Sequence, residues 1–495
     1  MRAIKTHELT PGSVKSETEK LWIYNALDTC VTLEVLNAML PQLSNQTRNT
    51  YEFEKSLLGP ILEINMRGIK IDVEERDRSL SYYRGQLHTL ESNLNRILQE
   101  GVGVEINWRS HQQLKYLFYD VFGFPPIHKD GKVTIDRDAL EKLEDHFYPG
   151  PIIRHLLKMR EIAKKIEVLE TEVDSDGRLR TSINIAGTNT GRVSSAMSDF
   201  GTGRNLQNIE EQMRRPFIAD PGYKLGYIDL EQAESRAVGA IEWNVLGDSR
   251  YLDACESGDL HTTVVKMMYP RLPWTGQPKL DKTIAEQPFY RQHSYRHMCK
   301  VLGHGSNYGG KPHTMSKHTK MDRDLIAEFQ EKYFDAFPHK QWHEWVAKTL
   351  TDDGYLDTLT GRRRWFFGRR SEDSTLREAI AYAPQGSVGD VLNTGMLRVW
   401  RLNICQLLLQ IHDAILIQYR AEEEDEVIPK ILDAIVSPIG LSRERVVRIP
   451  AEAKTGWNWA PWSEENPNGL MKYSGEDKRK RSEKKPLSIL ARIRA

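Results

Sequence analysis

Two acidic residues stand where an acid is least expected. Asp229 ends the run YKLGYIDL (Tyr223–Leu230), and Asp413 sits between the apolar halves of LLLQIHDAILIQY over 407–419. An unpaired charge beside apolar runs is costly, so each carboxylate needs a reason to be there. Phosphoryl transfer from a nucleotide supplies one. It calls for divalent cations about 4 Å apart that clamp the attacking and leaving oxygens. Magnesium takes rigid carboxylate oxygens for that purpose. Taken singly, either residue could equally be a turn carboxylate or a helix cap. A second pattern is cationic: Arg296, Lys300, His304 and Tyr308 recur every four residues. At helical spacing they form a slowly drifting stripe on one face. Guanidinium and ammonium groups make charge-assisted hydrogen bonds to phosphate, and an aromatic ring suits a base pair. The plain alternative is a solvated basic face. Zinc is a poorer reading of the same stretch, because His293, His297, Cys299, His304 and His313 do not converge on one helical face.

These side chains need platforms. YKLGYIDL alternates like a strand, and the 407–419 run reads as a hairpin with His412-Asp413 at its tip. Helical character follows from 231 and over most of 248–355, with turns at 270–273 and 276–278. Upstream, the pattern predicts helices over 21–40 (closed by Pro41), 51–66, 73–99, 110–122 and 152–173, with a short strand at 69–72. Residues 181–208 are rich in Gly, Ser, Thr and Asn and read as loop or strand. The first 20 residues look like a linker. The chain after Pro467 looks like a polar tail with a charge run, KRKRSEKK, at 478–485.

Composition narrows the classes. Lys and Arg number 69 and Asp and Glu 69, so there is no global pull toward nucleic acid, and any polyanion site must be a local patch. The 495 residues allow roughly two to four domains. The four cysteines are scattered with no CxxC pair, which fits a reducing compartment and speaks against a disulfide framework or zinc ribbon. The apolar stretch 405–417 is broken by Gln406, Gln410 and His412-Asp413, which makes it a poor membrane span. With a polar N-terminus, the expectation is a soluble cytoplasmic protein that does not engage a membrane. There is no GxxxxGK[ST] loop, no HExxH, and GTGRNL (201–206) lacks the third glycine of a dinucleotide fingerprint.

Five segments occur in order: TNTGRVSS (188–195), NLQNI (205–209), IDLEQAESR (228–236), RHMCKVLGHGSNYG (296–309) and IHDA (411–414). Together they resemble the family A DNA polymerases, the bacterial polymerase I type and its phage relatives, over about 22–459. The HGSNYG and HDAI segments are the phage-like part, which would place the protein in a host cytoplasm. The resemblance implies an α+β right-hand polymerase with an antiparallel palm sheet and helical fingers and thumb. Its expected divisions are an exonuclease remnant at 1–50, thumb 51–180, palm 181–255 and 366–463, fingers 256–365 and a polar tail 464–495. It implies template-directed nucleotidyl transfer from dNTPs to a primer 3′-OH with two Mg²⁺ ions, for which Mn²⁺ can substitute.

Matched motif by motif, Asp229 and Asp413 would hold the ions, with the Leu230 carbonyl contributing. Glu234 would pack on the sugar and exclude a 2′-hydroxyl, Gln232 would join the nucleotide site, and Arg236 would support it by local pairing. Lys300 would contact the phosphates and donate a proton to pyrophosphate. Arg296 would hold the γ-phosphate and His261 would lie near it. His304 stands where the family has Phe or Tyr against the sugar, and Tyr308 with Gly309 would face the templating pair. Arg192, Gln207 and Asn208 would meet the primer-template minor groove, where donors check shape without reading sequence. Arg377 and Gln385 would face DNA from a second helix, Arg362, Arg363 and Arg364 would suit the template backbone, and His412 would lie near the primer end. Ala414 replaces an accessory acid. WIYNALDTCVTLEV (22–35) resembles the last motif of the family's 3′–5′ exonuclease, with Tyr24 and Asp28 in matching places. The further carboxylates that chemistry needs are missing from the residues before Trp22, so no autonomous proofreading is expected. The implied partners are primer-template DNA and dNTPs; the nuclease half would be either a separate exonuclease-bearing polypeptide or a part of a longer chain of which this sequence is a piece. Two rivals remain: a non-catalytic DNA-binding subunit, which the intact acids and cations disfavour, and an RNA polymerase on the same fold, which Glu234 disfavours.

Overall fold

The computed structural model describes residues 16–144, 146, 150–199, 201–291, 293–370 and 372–475. The greater part of the expected linker and the 478–485 charge run lie outside them. The described residues up to 169 are mainly helical, with short strands at Ile69–Ile71, where one was expected, and at His128–Lys129 and Lys132–Val133. Helix α1 (Glu17–Met39) opens on a capping box formed by Ser16 and Glu19, and a short turn containing Pro41 follows it. The helix expected over 51–66 is two, Asn45–Ser56 and Leu58–Arg67. Pro60 explains the break: a continuous helix would leave the Ser56 carbonyl without its N–H partner, whereas a proline in the first turn of a new helix is tolerated. Helix α2 (Val73–Val102) starts on the Asp72 side chain and stops at Gly103, whose φ of 68° is a left-handed cap. It packs against α3 (Gly150–Leu169). The helix expected over 110–122 changes pitch midway, from His111–Lys115 into a π-helical turn at Tyr116–Val121.

The later chain is mixed. Helices α4 (Ala233–Leu246), α5 (Leu260–Met268), α6 (Pro278–Ala285), α7 (Tyr295–Asn307) and α8 (His339–Asp352) precede the 30-residue α9 (Asp373–Leu402). A five-stranded sheet stands between them. Its strands are β1 (Tyr223–Leu230), β2 (Gln406–Ile411), β3 (Ala414–Arg420), β4 (Ala451–Gly456) and β5 (Met471–Lys472). The order is β2-β3-β1-β4-β5, and every neighbour is antiparallel. The expected tail therefore contributes β5, an edge strand of the sheet. This is the α+β right-hand polymerase architecture.

Two apolar cores result. One joins the strands to α2, α3 and the second half of α9 through Ile228, Ile417, Val388 and Leu392. The other gathers α5, α7, α8 and the first half of α9 around Tyr251, Tyr333 and Trp342. The cores meet along two helices. In α4, Ala237 and Ala240 face one core while Val238 and Ile241 face the other. The buried pair His339 Nδ1–Glu242 Oε1, 2.5 Å, ties α8 to α4 at that seam. Among the described residues no helix is long and apolar enough to cross a membrane.

Candidate active site

Antiparallel pairing is what brings the two aspartates together. Strand β1 is central, so its backbone is bonded on both sides, to β3 and to β4. In that register Asp229 lies opposite Ala414, the residue after Asp413. The Leu230 N–H donates to the Asp413 carbonyl at 3.1 Å, which pins the hairpin tip to the end of β1. His412 occupies the first tip position with φ of 50°, a left-handed conformation that His adopts more readily than most residues. Its side chain is exposed. Both aspartates line one cavity of about 660 Å³, shared with Leu230, Gln232, Glu234, His261, Arg296, Lys300 and His304.

The carboxylates are electrostatically unsatisfied. Burial, reinforced by facing Asp413, pushes Asp229 up to about 7. Burial raises Asp413 as well. Neither has an ion-pair partner among the described residues. Like charges held together in a half-dry site favour protonation or a cation between them. The donor set is hard oxygen at rigid positions, which fits a divalent ion such as magnesium. Among the described residues no three His, Cys, Asp or Glu side chains form a metal cage. An ion here would complete its shell with water, carbonyl or substrate oxygens, as magnesium usually does.

A third acid, which no motif marks, joins the two aspartates. Glu452 on β4 lies opposite Asp229, on the flank away from Ala414. Cross-strand partners share a sheet face, and Glu452 lines the same cavity. It accepts from Lys472 on β5 at 2.8 Å and lies 3.5 Å from Lys454. The alternation of AEAKTG was the available signal, but only the register puts Glu452 beside Asp229.

Glu234, in the first turn of α4, is a hub. Its Oε1 accepts from Arg192 Nη2 at 2.5 Å and its Oε2 from the Tyr308 hydroxyl at 2.6 Å, with His304 Nε2 at 3.7 Å. Burial would raise its pKa, but the bonds from Tyr308 and Arg192 outweigh burial and hold it below the usual range. Arg192 is thus turned to Glu234. Gln232 also serves the backbone: at φ of 53° it donates to the Gly258 carbonyl at 3.2 Å and accepts from the Leu260 N–H at 3.3 Å. Arg236, expected to pair locally, is buried in α4 with its Nε unbonded.

Helix α7 carries Arg296, Lys300 and His304, and Tyr308 follows as its C-cap. The stripe forms, but Arg296 is occupied. Its fork grips Asp259 at 2.7 Å through both Nε and Nη2, and Nη1 reaches Glu286 at 3.2 Å. Burial would raise Asp259, yet the Arg296 and Thr262 bonds hold it far below the usual carboxylate range. Burial pushes His261 down to about 4, so its ring is neutral near pH 7.

Gln207 and Arg377, two of the residues matched to DNA contacts, are engaged within the protein. Gln207 Nε2 donates to the Gln410 carbonyl at 2.9 Å, and Asn208 is exposed. Arg377 pairs with Asp373 at 2.8 Å one turn away on α9, and Gln385 is half-buried on the same helix. Arg362 is buried, bound to Asp390 at 2.8 Å and to Glu54 at 2.5 Å. It is a structural tie, which corrects its assignment to the template backbone. Arg363 and Arg364 pair with Asp357 and Glu378, both at 2.8 Å. Tyr24 and Asp28 lie on α1, which buries no residue, and Tyr24 is 55% exposed.

Residues 77–461 match the model of DNA polymerase family A. The chain is 27% identical over 428 residues to a thermostable DNA polymerase I of Thermus filiformis, covering 80% of this chain and 47% of that protein. To a thermostable DNA polymerase I of Thermus thermophilus it is 25% identical over 477 residues, covering 90% and 52%. To DNA polymerase I of Mycobacterium tuberculosis strain H37Rv it is 26% identical over 472 residues, covering 91% and 48%. The chain thus spans about half the length of these curated relatives. Among solved structures, the POL domain of Pol1 from M. smegmatis, in complex with DNA primer-template and dNTP, superposes with a TM-score of 0.66. At 23% identity, over 82% of this chain and 70% of that one, this likeness shows the fold.

Proposed function

The chain belongs to DNA polymerase family A, and from that premise we propose that it extends a primer on a DNA template by nucleotidyl transfer from dNTPs. The observation that carries this reading is the pair Asp229 and Asp413. Among the described residues they have no ion-pair partner, and they stand half-buried in a cavity that Lys300 also lines. Asp229, Asp413 and the Leu230 carbonyl would hold two Mg²⁺ or Mn²⁺ ions, which supply the charge clamp on the attacking and leaving oxygens. The rest of the work falls to side chains. Lys300 stands over the phosphates and delivers a proton to the departing pyrophosphate. The sugar lies between His304 and Glu234, and a 2′-hydroxyl would have to displace Glu234 from its Arg192 and Tyr308 bonds. Arg192, Gln207, Asn208, Arg377, Gln385 and His412 border the path of primer and template, so Arg192 must let go of Glu234 to reach the minor groove. In domain language, α2 and α3 are thumb, the five strands palm, and α5 to α8 fingers.

Residues 16–475 are further proposed to carry no 3′–5′ exonuclease of their own. Tyr24 and Asp28 stand exposed, and a separate polypeptide bearing the remaining carboxylates would complete that activity. Extension of a primed template with Mg²⁺, run with matched and mismatched 3′ ends and with Asp229→Ala as control, tests both statements. The expected result is synthesis from matched ends, no trimming of mismatched ends, and neither activity in the variant. DNA binding without extension would support the non-catalytic alternative instead. Preference for NTPs over dNTPs would support the RNA polymerase.

A further inference from the structure

We propose that Lys282 on α6 is a second phosphate-binding cation for the incoming nucleotide, acting beside Lys300. The inference rests on the polymerase reading for the identity of its ligand, while its argument comes from charge placement in the cavity.

Of the cations that line the cavity, Arg236 is buried within α4, and the others divide into two groups. Arg296 is held by Asp259 and Glu286, and Lys472 by Glu452. Lys282 and Lys300 line the same cavity and pair with no carboxylate among the described residues. At the phosphate end Arg296 and Asp259 cancel, and the His261 ring is neutral. The exposed ammonium groups without a carboxylate partner among the described residues that border the cavity are Lys300 and Lys282. A triphosphate seeks unpaired donors, because an already paired guanidinium must first break a bond to serve it.

The placement of Lys282 is built into the fold. The residue before it, Asp281, is fully buried. Asp281 binds Lys266 of α5 at 2.6 Å and accepts from the Thr275 N–H at 2.7 Å and hydroxyl at 2.9 Å. Ala285, one turn on, is also fully buried, and α6 packs against both α5 and α7. One face of α6 is thereby fixed. Lys282, about 100° further round the helix, is exposed and borders the cavity. In the sequence Lys282 falls in the expected helical stretch just after the 276–278 turn, with no motif to mark it.

Lys282→Met and Lys282→Arg test it, in the full chain with saturating primer-template. For Lys282→Met the KM for dNTP should rise about tenfold with kcat within about twofold, the effect of losing one charge-assisted hydrogen bond. Lys282→Arg should stay near the parent. Because Lys282 is exposed, an unchanged melting temperature is expected and separates this effect from misfolding. Equilibrium binding of dATP and of inorganic tripolyphosphate gives a readout independent of turnover. Both should weaken in Lys282→Met, and a nucleoside monophosphate should not. A KM and tripolyphosphate affinity within twofold of the parent would overturn the inference while leaving the polymerase reading intact. A parent chain that fails to extend primers would sink that reading, and the tripolyphosphate measurement would still decide whether Lys282 binds phosphate.

Discussion

The two ends of the cavity are held in opposite ways. At the sheet end, backbone hydrogen bonds on both sides of β1 and across the hairpin tip fix Asp229 and Asp413, and neither has an ion-pair partner among the described residues. At the helical end, Arg296 and Glu234 are long side chains whose charges are already met by Asp259, Arg192 and Tyr308. A site that stores repulsion in rigid backbone is waiting for a ligand of opposite charge. A site that stores satisfied pairs must exchange partners when its ligand arrives. The first should be intolerant of change and the second graded.

The contrast breaks most visibly at the sheet. Asp229→Ala or Asp413→Ala should lower the rate of incorporation by about 10³-fold or more, with primer-template affinity retained, because the cation clamp is lost while the fold keeps its ladder. Rapid-quench incorporation and a filter-binding assay read the two quantities. Equal loss of DNA affinity would mean that the acids hold the structure and not the chemistry. At the hub, Glu234→Ala should cut discrimination against ribonucleotides by roughly 10²-fold while correct insertion falls less, measured as the ratio of kcat/KM for dNTP and NTP. Arg296→Ala should act mainly on KM for dNTP, by about tenfold or somewhat more, since the phosphates lose one fork and Asp259 loses its partner.

Stability gives a subtler test of the repulsion itself. Asp229 has its pKa raised from 3.8 to about 7, so between those values the folded, metal-free protein binds more protons than the unfolded chain. Its contribution to stability therefore declines as pH rises through that window. Asp229→Asn removes the slope. The metal-free variant should melt roughly 2–4 °C above the parent at pH 8 and lose that margin near pH 4. Parallel melting curves at both pH values would show that the pair is not under strain. The smallest expected change is His304→Phe, which should keep polymerisation and shift the deoxy to dideoxy incorporation ratio a few-fold through altered stacking on the sugar. An unchanged ratio would count against that stacking.

Much of this was legible in the residues, and the misses have reasons. The strand and hairpin that carry the aspartates follow from alternation and an apolar run broken once, both properties of a few neighbouring residues. The helical stripe from Arg296 to Tyr308 is likewise local. The helix break before Pro60 was equally local and was overlooked. The pitch change at Tyr116 has no comparable signal. Arg362 shows the limit: its type and neighbours suit a phosphate contact, and only packing reveals it buried against Asp390 and Glu54.

By itself the sequence determined the elements, the identity of the acids and cations, and the family resemblance, because hydrophobic period, caps and motif spacing act over a turn or two of chain. The tertiary structure alone decided the register that sets Glu452 beside Asp229. It also decided that Arg296 is paired, and that Lys282 and Lys300 face the cavity exposed and with no carboxylate partner among the described residues. Such facts depend on which distant charges become neighbours, and electrostatic satisfaction is a property of the folded surroundings that no single segment encodes.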